Sequence, residues 1–324
     1  MKQESNYRKL PRLSYSSLKL YNKSPLEYYK RYILKEPEKD RTQTFLTGNI
    51  VDVMMTDNSN FDDYFVIAKA AVPSGQLLTF INYVVELDDT EKAYEKLKEE
   101  NGGKLGSALD KFLVKLGAEG NDYYSELLIS KGKTLITQEQ YDLGKAICVR
   151  INKSKAFVSK GTEVFKKFVH LFTYNSVEMK CEIDEFSIDH DEKKVYLYDY
   201  KCTGQIDMFV WMGYLKLGYY IQASLYQYAL QNYIDSKYKG YTVEPMVFKV
   251  VDDTNELDPL LFQTTEGHYV NGFIGFYVGN SYYKGIDQLL AEIETSLAYK
   301  QWGMSIYNYN NGGIINIPNF KQEL

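Results

Sequence analysis

CEIDEFSIDHDEKKVYLYDYKCTG, residues 181–204, is the stretch on which the reading of this sequence turns. β-Branched and aromatic residues flank a polar turn at 189–192, the pattern of two strands joined as a hairpin. Side chains alternate across a strand, so Asp199 and Lys201, two residues apart, point to one face. The turn folds the first strand back and brings Asp184 beside that pair. Carboxylates that converge at a strand end repel one another and shift each other's pKa, a costly arrangement in a packed core. A divalent cation removes the conflict. Mg²⁺ or Mn²⁺ prefers oxygen ligands and keeps several waters, and it polarises a phosphoryl oxygen. A lysine beside the attacking water can orient or deprotonate it and offset charge in the transition state. These groups are the set that phosphodiester hydrolysis requires.

Outward from the hairpin, FKKFVHLFTY (165–174) supplies a third strand, with a turn signal at Asn175-Ser176, so the core opens as a three-stranded meander. Downstream, the pattern predicts helices over 206–217 and 219–234, a strand in TVEPMVFKVVDD (242–253), a late helix over 285–301 and an irregular tail in NYNNGGIINIPNF (308–320). Gln222 and Tyr226 are four apart and share one helix face. Upstream, residues 1–12 read as a loose polar arm. Ser14 is a plausible cap for SYSSLKLYNKSPLEYYKRYI (14–33), which Pro25 divides into two helices. TFLTGNIVDVMMTD (44–57) reads as a helix carrying Gly48, Val51, Asp52 and Met55, and residues 57–160 read as mainly helical with glycine breaks.

The 324 residues include 44% hydrophobic and 25% charged positions, ordinary for a globular protein. The net charge of −5 does not advertise a nucleic-acid binder, although carboxylates gathered around metals lower it and a local basic groove can still hold phosphate. Tyrosine is abundant, at 31 residues, and can stack on bases, but a bias towards Tyr, Lys and Asn also follows from an AT-rich genome. Cys148, Cys181 and Cys202 form no CxxC pair, which argues against a zinc or iron–sulfur site and suits a reducing compartment. Neither a signal-peptide core nor an apolar run of membrane-spanning length is found. The expectation is a cytoplasmic chain with no membrane partner.

Asp184, the Asp199–Lys201 pair and the Gln222–Tyr226 helix together resemble the PD-(D/E)XK nucleases of the RecB-like and exodeoxyribonuclease VIII-like groups, in which a D…(D/E)-x-K hairpin precedes a Q-x-x-x-Y helix. Lys216-Leu217-Gly218-Tyr219 resembles the residues these groups place before the glutamine. LSYSSLKLYNKSPLEYYKRYI (13–33) is similar to their opening helices, and TGNIVDVMM (47–55) to their G-x-x-V-H-x-x-L helix, with Asp52 in place of the usual histidine. The resemblance covers roughly 13–56 and 163–232.

It implies one nuclease domain over 1–324: N-terminal motif helices at 13–56, a helical insertion at 57–160, a catalytic core at 163–250 and a C-terminal helix and tail at 251–324. The implied fold class is α/β, a restriction-endonuclease-like core with a central mixed β-sheet flanked by helices. Asp184, Asp199, Lys201, Gln222 and Tyr226 are the implied catalytic residues. Asp52, Asp184, Asp199, the Tyr200 backbone carbonyl and also Glu182 are the implied ligands of Mg²⁺ or Mn²⁺. Asp52 is a competent ligand for a hard cation, and its presence shifts preference towards Mg²⁺. DNA is the implied substrate, in a phage-type recombination exonuclease with a ring-shaped homo-oligomer and a single-strand annealing protein as partners, phage-encoded in the host cytoplasm. An endonuclease of DNA processing or defence uses the same centre. A scaffold that has kept the fold and lost catalysis is the reading that Asp52 motivates.

Among the other polar residues, Glu163 is a weaker candidate for the acidic residue before the first strand. His170, His190 and His268 read as incidental. Lys180 and Lys216 are candidate phosphate contacts, and Trp211, Phe209 and Met212 are expected to pack a helix against the sheet.

Overall fold

The computed structural model describes residues 7, 9–36, 44–130, 133–155 and 159–303. The expected irregular tail lies outside the described residues. The chain divides into two compact units, Val53–Ala146 and a larger one formed by the residues on either side.

In the larger unit, Ser14 and Ser17 make a reciprocal capping box that starts helix α1, Tyr15–Lys23. Pro25 opens the next helix, which continues as a π-helical turn, Tyr29–Ile33. Helix α2, Thr44–Thr56, and helix α3, Gln138–Lys153, each cross a boundary between the units. Strands β1, Glu163–Tyr174, β2, Val177–Asp189, and β3, Lys194–Thr203, form the expected antiparallel meander. Asn175 and Ser176 both take positive φ, 46° and 66°, which two-residue hairpin turns of this hand require. Helix α4, Tyr219–Lys237, crosses over to β4, Val247–Asp252, which runs parallel to β3, and β5, Leu260–Gln263, closes the far edge antiparallel. The order is β1-β2-β3-β4-β5, with the short strand Thr242–Val243 also paired to β3, a mixed six-stranded sheet. The predicted strand at 242–253 is therefore two pieces, interrupted around Pro245, which has no N–H for a ladder. Helices α5, Glu266–Ile274, and α6, Ile286–Tyr299, follow, with a small antiparallel hairpin of Phe276–Val278 and Ser281–Tyr283 between them.

One face of the sheet is apolar. Val195 and Leu197 of β3 pack with Ile221, Leu225, Ala229 and Leu230 of α4 in a single buried core. The other face carries Tyr198, Tyr200 and Lys249, and the end of α3 brings Cys148 close to Tyr200. In the smaller unit, helices Gly75–Leu87 and Thr90–Glu100 pack Phe80, Ile81, Val84 and Leu97 around Phe112 in a separate core. Its two short strands, Phe65–Ile67 and Thr134–Ile136, pair in parallel. The glycines of 116–121 mark no break: the helix widens into a π-turn, Leu116–Gly120, and runs on.

Three expectations are corrected. The described residues of the arm, 7 and 9–12, are tied down: Arg12 Nη2 donates to Glu178 Oε1 (2.8 Å), and Lys180 Nζ donates to the carbonyls of Tyr7 (2.6 Å) and Leu10 (3.0 Å). Lys180 is buried at 5% exposure by those same bonds, so it anchors chain instead of facing phosphate. Trp211 does not pack on the sheet; it is 56% exposed and Met212 is 40% exposed, while Phe209 is buried. The reason is winding. Phe209–Lys216 is a π-helix, and its inward positions are Phe209, Gly213, Tyr214 and Leu215. A Cβ at Gly213 would come within 2.9 Å of the Tyr219 ring, so only glycine allows this close approach.

Candidate active site

The register of β2 and β3 runs from Asp189↔Lys194 to Glu185↔Tyr198, and one further step sets Asp184 opposite Asp199. The backbone N–H of Tyr200 donates to Asp184 Oδ2 (3.0 Å), and the two carboxyl groups are near enough for the Asp199 charge to act on Asp184. Asp199 is 1% exposed, and each carboxylate oxygen has a partner with a lone pair to spare: Oδ2 takes the Lys201 ammonium, and Oδ1 accepts from Gln222 Nε2 at 2.6 Å. Gly218, at φ +75°, turns the chain into α4 so that Gln222 reaches the strand. Tyr226, one turn further, is buried near both aspartates. Burial first, then charges that include Asp199 and Asp184, hold its phenol well above the usual tyrosine range.

Asp52 reaches the same region from α2, which approaches β3 at Gly48: a Cβ there would lie 3.5 Å from the Cys202 Cβ. Its Oδ2 accepts from Lys167 Nζ at 2.6 Å, and Glu182 Oε1 lies 3.8 Å from the same ammonium. Lys167 was not legible as a site residue. It stands opposite Asp184 in the β1/β2 register, where the ladder is interrupted, and its φ is +50°, rare for a lysine within a strand. The core-facing positions of β2 slip by one across this point, from Cys181 and Ile183 to Phe186 and Ile188. Only the pairing of two distant segments places a cation there.

Burial and then the Asp199 charge push Asp184 up to about 6, and burial and then Asp184 do the same for Asp52. Asp199 is raised too, by burial. For Lys201, burial works to lower the ammonium, but Asp199 and its neighbours outweigh it and the net shift is upward. Because the unfolded Asp184 titrates near about 4, the folded chain retains its proton to higher pH. Metal-free stability then falls as pH rises from about 4 towards about 6, where the folded carboxyl must ionise. Asp184→Asn removes this penalty. Its metal-free Tm is expected to match the wild type below about pH 4 and to exceed it by a few degrees above about pH 6. A variant melting at or below the wild type at pH 7 would show that the carboxylate is not under strain.

Asp184 and Asp199 offer the hard oxygens that a Mg²⁺-like ion takes. Gln222 Oε1, buried without a hydrogen-bond partner among the described residues, marks the same pocket as incompletely satisfied by the protein alone. The residues therefore fit a divalent cation. Among the described residues no three His, Cys, Asp or Glu side chains gather as a ready-made cluster, since Asp52 is turned to Lys167. Glu163 lies at the far end of β1, bonded to His190 at 3.0 Å. His170 bonds Asn232, and His268 caps α5, so the histidines stand outside the site.

A profile of the PD-(D/E)XK nuclease superfamily matches residues 12–266. The chain belongs to this superfamily, and its mixed sheet flanked by helices is the restriction-endonuclease-like core. Nucleases of this class typically use divalent metal ions and take DNA as substrate. Among solved structures, a candidate exonuclease from Eubacterium rectale is similar at 14% identity and a TM-score of 0.44, over 97% of this chain and 85% of that one. No curated protein matches the sequence. No helix among the described residues is long and apolar enough to cross a membrane.

Proposed function

We propose that this chain is a divalent-metal-dependent DNA nuclease, working as an exodeoxyribonuclease of the exodeoxyribonuclease VIII-like type in phage-type recombination or DNA processing. One observation carries the reading: Asp199, almost fully buried, is gripped by Lys201 and Gln222 beside Asp184, in a chain of this superfamily. Asp184, Asp199 and the Tyr200 carbonyl would hold Mg²⁺ or Mn²⁺, with Asp52 and Glu182 as further ligands. When bound, the ion supplies Lewis acidity at the phosphoryl oxygen. Lys201 orients the attacking water and offsets developing charge. Gln222 fixes the rotamer of Asp199, and Tyr226 turns its hydroxyl to the substrate strand. Residues 1–324 then act as one nuclease domain with a helical insertion, and the recombination role brings a homo-oligomer and a single-strand annealing partner.

The test is to incubate linear and covalently closed circular DNA with Mg²⁺ or Mn²⁺, beside an EDTA control. Loss of linear DNA alone, abolished by EDTA, is the expected result. Cutting of the closed circle would replace the exonuclease by an endonuclease of DNA processing or defence. Intact DNA in every lane would leave a nucleic-acid-binding scaffold.

A further inference from the structure

We propose that Lys19 binds a backbone phosphate of the DNA strand beside the one being cut, which makes α1 a wall of the substrate groove. The inference rests on the nuclease reading above and adds a substrate contact to it. Lys19 Nζ lies 5.7 Å from the centroid of the Tyr15 ring and 5.4 Å from that of Tyr219. The same Tyr219 ring has Lys201 Nζ at 4.9 Å from its centroid. One aromatic ring thus carries two ammonium groups, and one of them is the lysine of the D-x-K motif.

The two cations differ in their partners. Lys201 is paired with Asp199, whereas Lys19 has no carboxylate within ion-pair distance among the described residues. Tyrosine faces attract a cation only weakly at exposed sites. That attraction does not remove the repulsion between neighbouring ammoniums, and an anion placed between them would. Burial, then Lys201 and Lys23, lower the Lys19 ammonium to about 8, which leaves it largely protonated at neutral pH.

The position is also built. The Ser14–Ser17 capping box starts the helix, Leu18 and Tyr21 are buried beneath it, and the Tyr15 hydroxyl donates to the Leu217 carbonyl at 3.0 Å. Lys19 is therefore held over the Tyr15 and Tyr219 rings by an anchored helix instead of sampling solvent freely. Exposed Lys23, four residues on, lies about 6 Å further along the same helix face. Lys201, Lys19 and Lys23 make a positive strip that leads away from Asp199, suited to a polyanion that extends beyond the reacting group.

The experiment measures cleavage of a linear duplex by the full chain in Mg²⁺ across a NaCl series. Lys19→Gln keeps most of the stem that packs on the tyrosines and removes the charge. It is expected to raise KM about tenfold with kcat within about twofold, the loss of one charge-assisted hydrogen bond. The slope of log kcat/KM against log [NaCl] should flatten by about 0.9, one phosphate contact in a duplex. Lys19→Arg should restore both. Wild-type KM and salt slope in Lys19→Gln would overturn the proposal, and so would a fall in kcat or Tm with the slope unchanged, which marks a packing role. A wild-type chain that leaves DNA intact would instead remove the nuclease reading itself, an outcome seen before any Lys19 variant is compared.

Discussion

Lys201→Ala is expected to lower metal-dependent DNA cleavage by about 10²–10⁴-fold, the usual contribution of a positioned acid–base group. In the structure Lys201 is bonded to Asp199 and lies beside Tyr219, and alanine removes the cation that the proposed mechanism sets against charge at the reacting phosphate. Asp199→Asn is expected to cost at least as much. It keeps the shape, but an amide is a poorer ligand for a hard cation and cannot form the ion pair with Lys201. Tyr226→Phe is a graded control. It deletes one hydroxyl and almost no volume, and losing a phosphate contact of about 1–3 kcal/mol predicts about a 5- to 150-fold fall in kcat/KM. The measurement is single-turnover degradation of linear duplex, with circular dichroism to show that each variant is folded. Wild-type rates in Lys201→Ala would place the chemistry elsewhere. Wild-type rates in both Tyr226→Phe and Gln222→Ala would make α4 a packing helix.

The second large effect concerns stability and lies on the opposite face of the sheet. Lys249 and Glu185 are 1% and 2% exposed and paired at 2.7 Å, with Tyr200 donating its hydroxyl to Glu185 at 3.0 Å and the Tyr198 ring 4.1 Å from Lys249 Nζ. Ser159 also donates to Glu185. Lys249→Met leaves the Glu185 carboxylate buried with only the exposed Lys166 ammonium, at 3.8 Å, as counter-ion, and breaking such a buried pair costs up to about 3–5 kcal/mol. The double variant Glu185→Leu with Lys249→Met should recover much of that loss, because it no longer buries a charge. Urea denaturation of the metal-free protein measures both. Equal stability of Lys249→Met and wild type would mean that water reaches this pair in solution. The network also has a functional consequence. Tyr200 is fixed by its hydroxyl on this face while its N–H holds Asp184 on the other, so loosening Glu185 should disturb the aspartates through the strand between them.

The hairpin, the shared face of Asp199 and Lys201, and the Gln222–Tyr226 spacing were legible because they depend on local periods. Alternation along a strand and the turn of a helix put side chains together at separations of two and four, whatever surrounds them. The breaks at Pro25 and at Asn175-Ser176 were legible for a similar reason, since backbone chemistry acts within a residue or two. Tertiary structure alone decided the rest. Lys167 faces Asp52 across 115 positions of sequence, and Lys249 meets Glu185 across 64. Nothing in either local pattern separates these lysines from solvated ones. Lys180 became an anchor because the carbonyls of Tyr7 and Leu10 come to it, and Trp211 became exposed because its helix winds as a π-helix. Whether a charge is solvated, paired or buried is set by desolvation and by partners that only the packed sheet brings near, and strand register between distant segments carries that information.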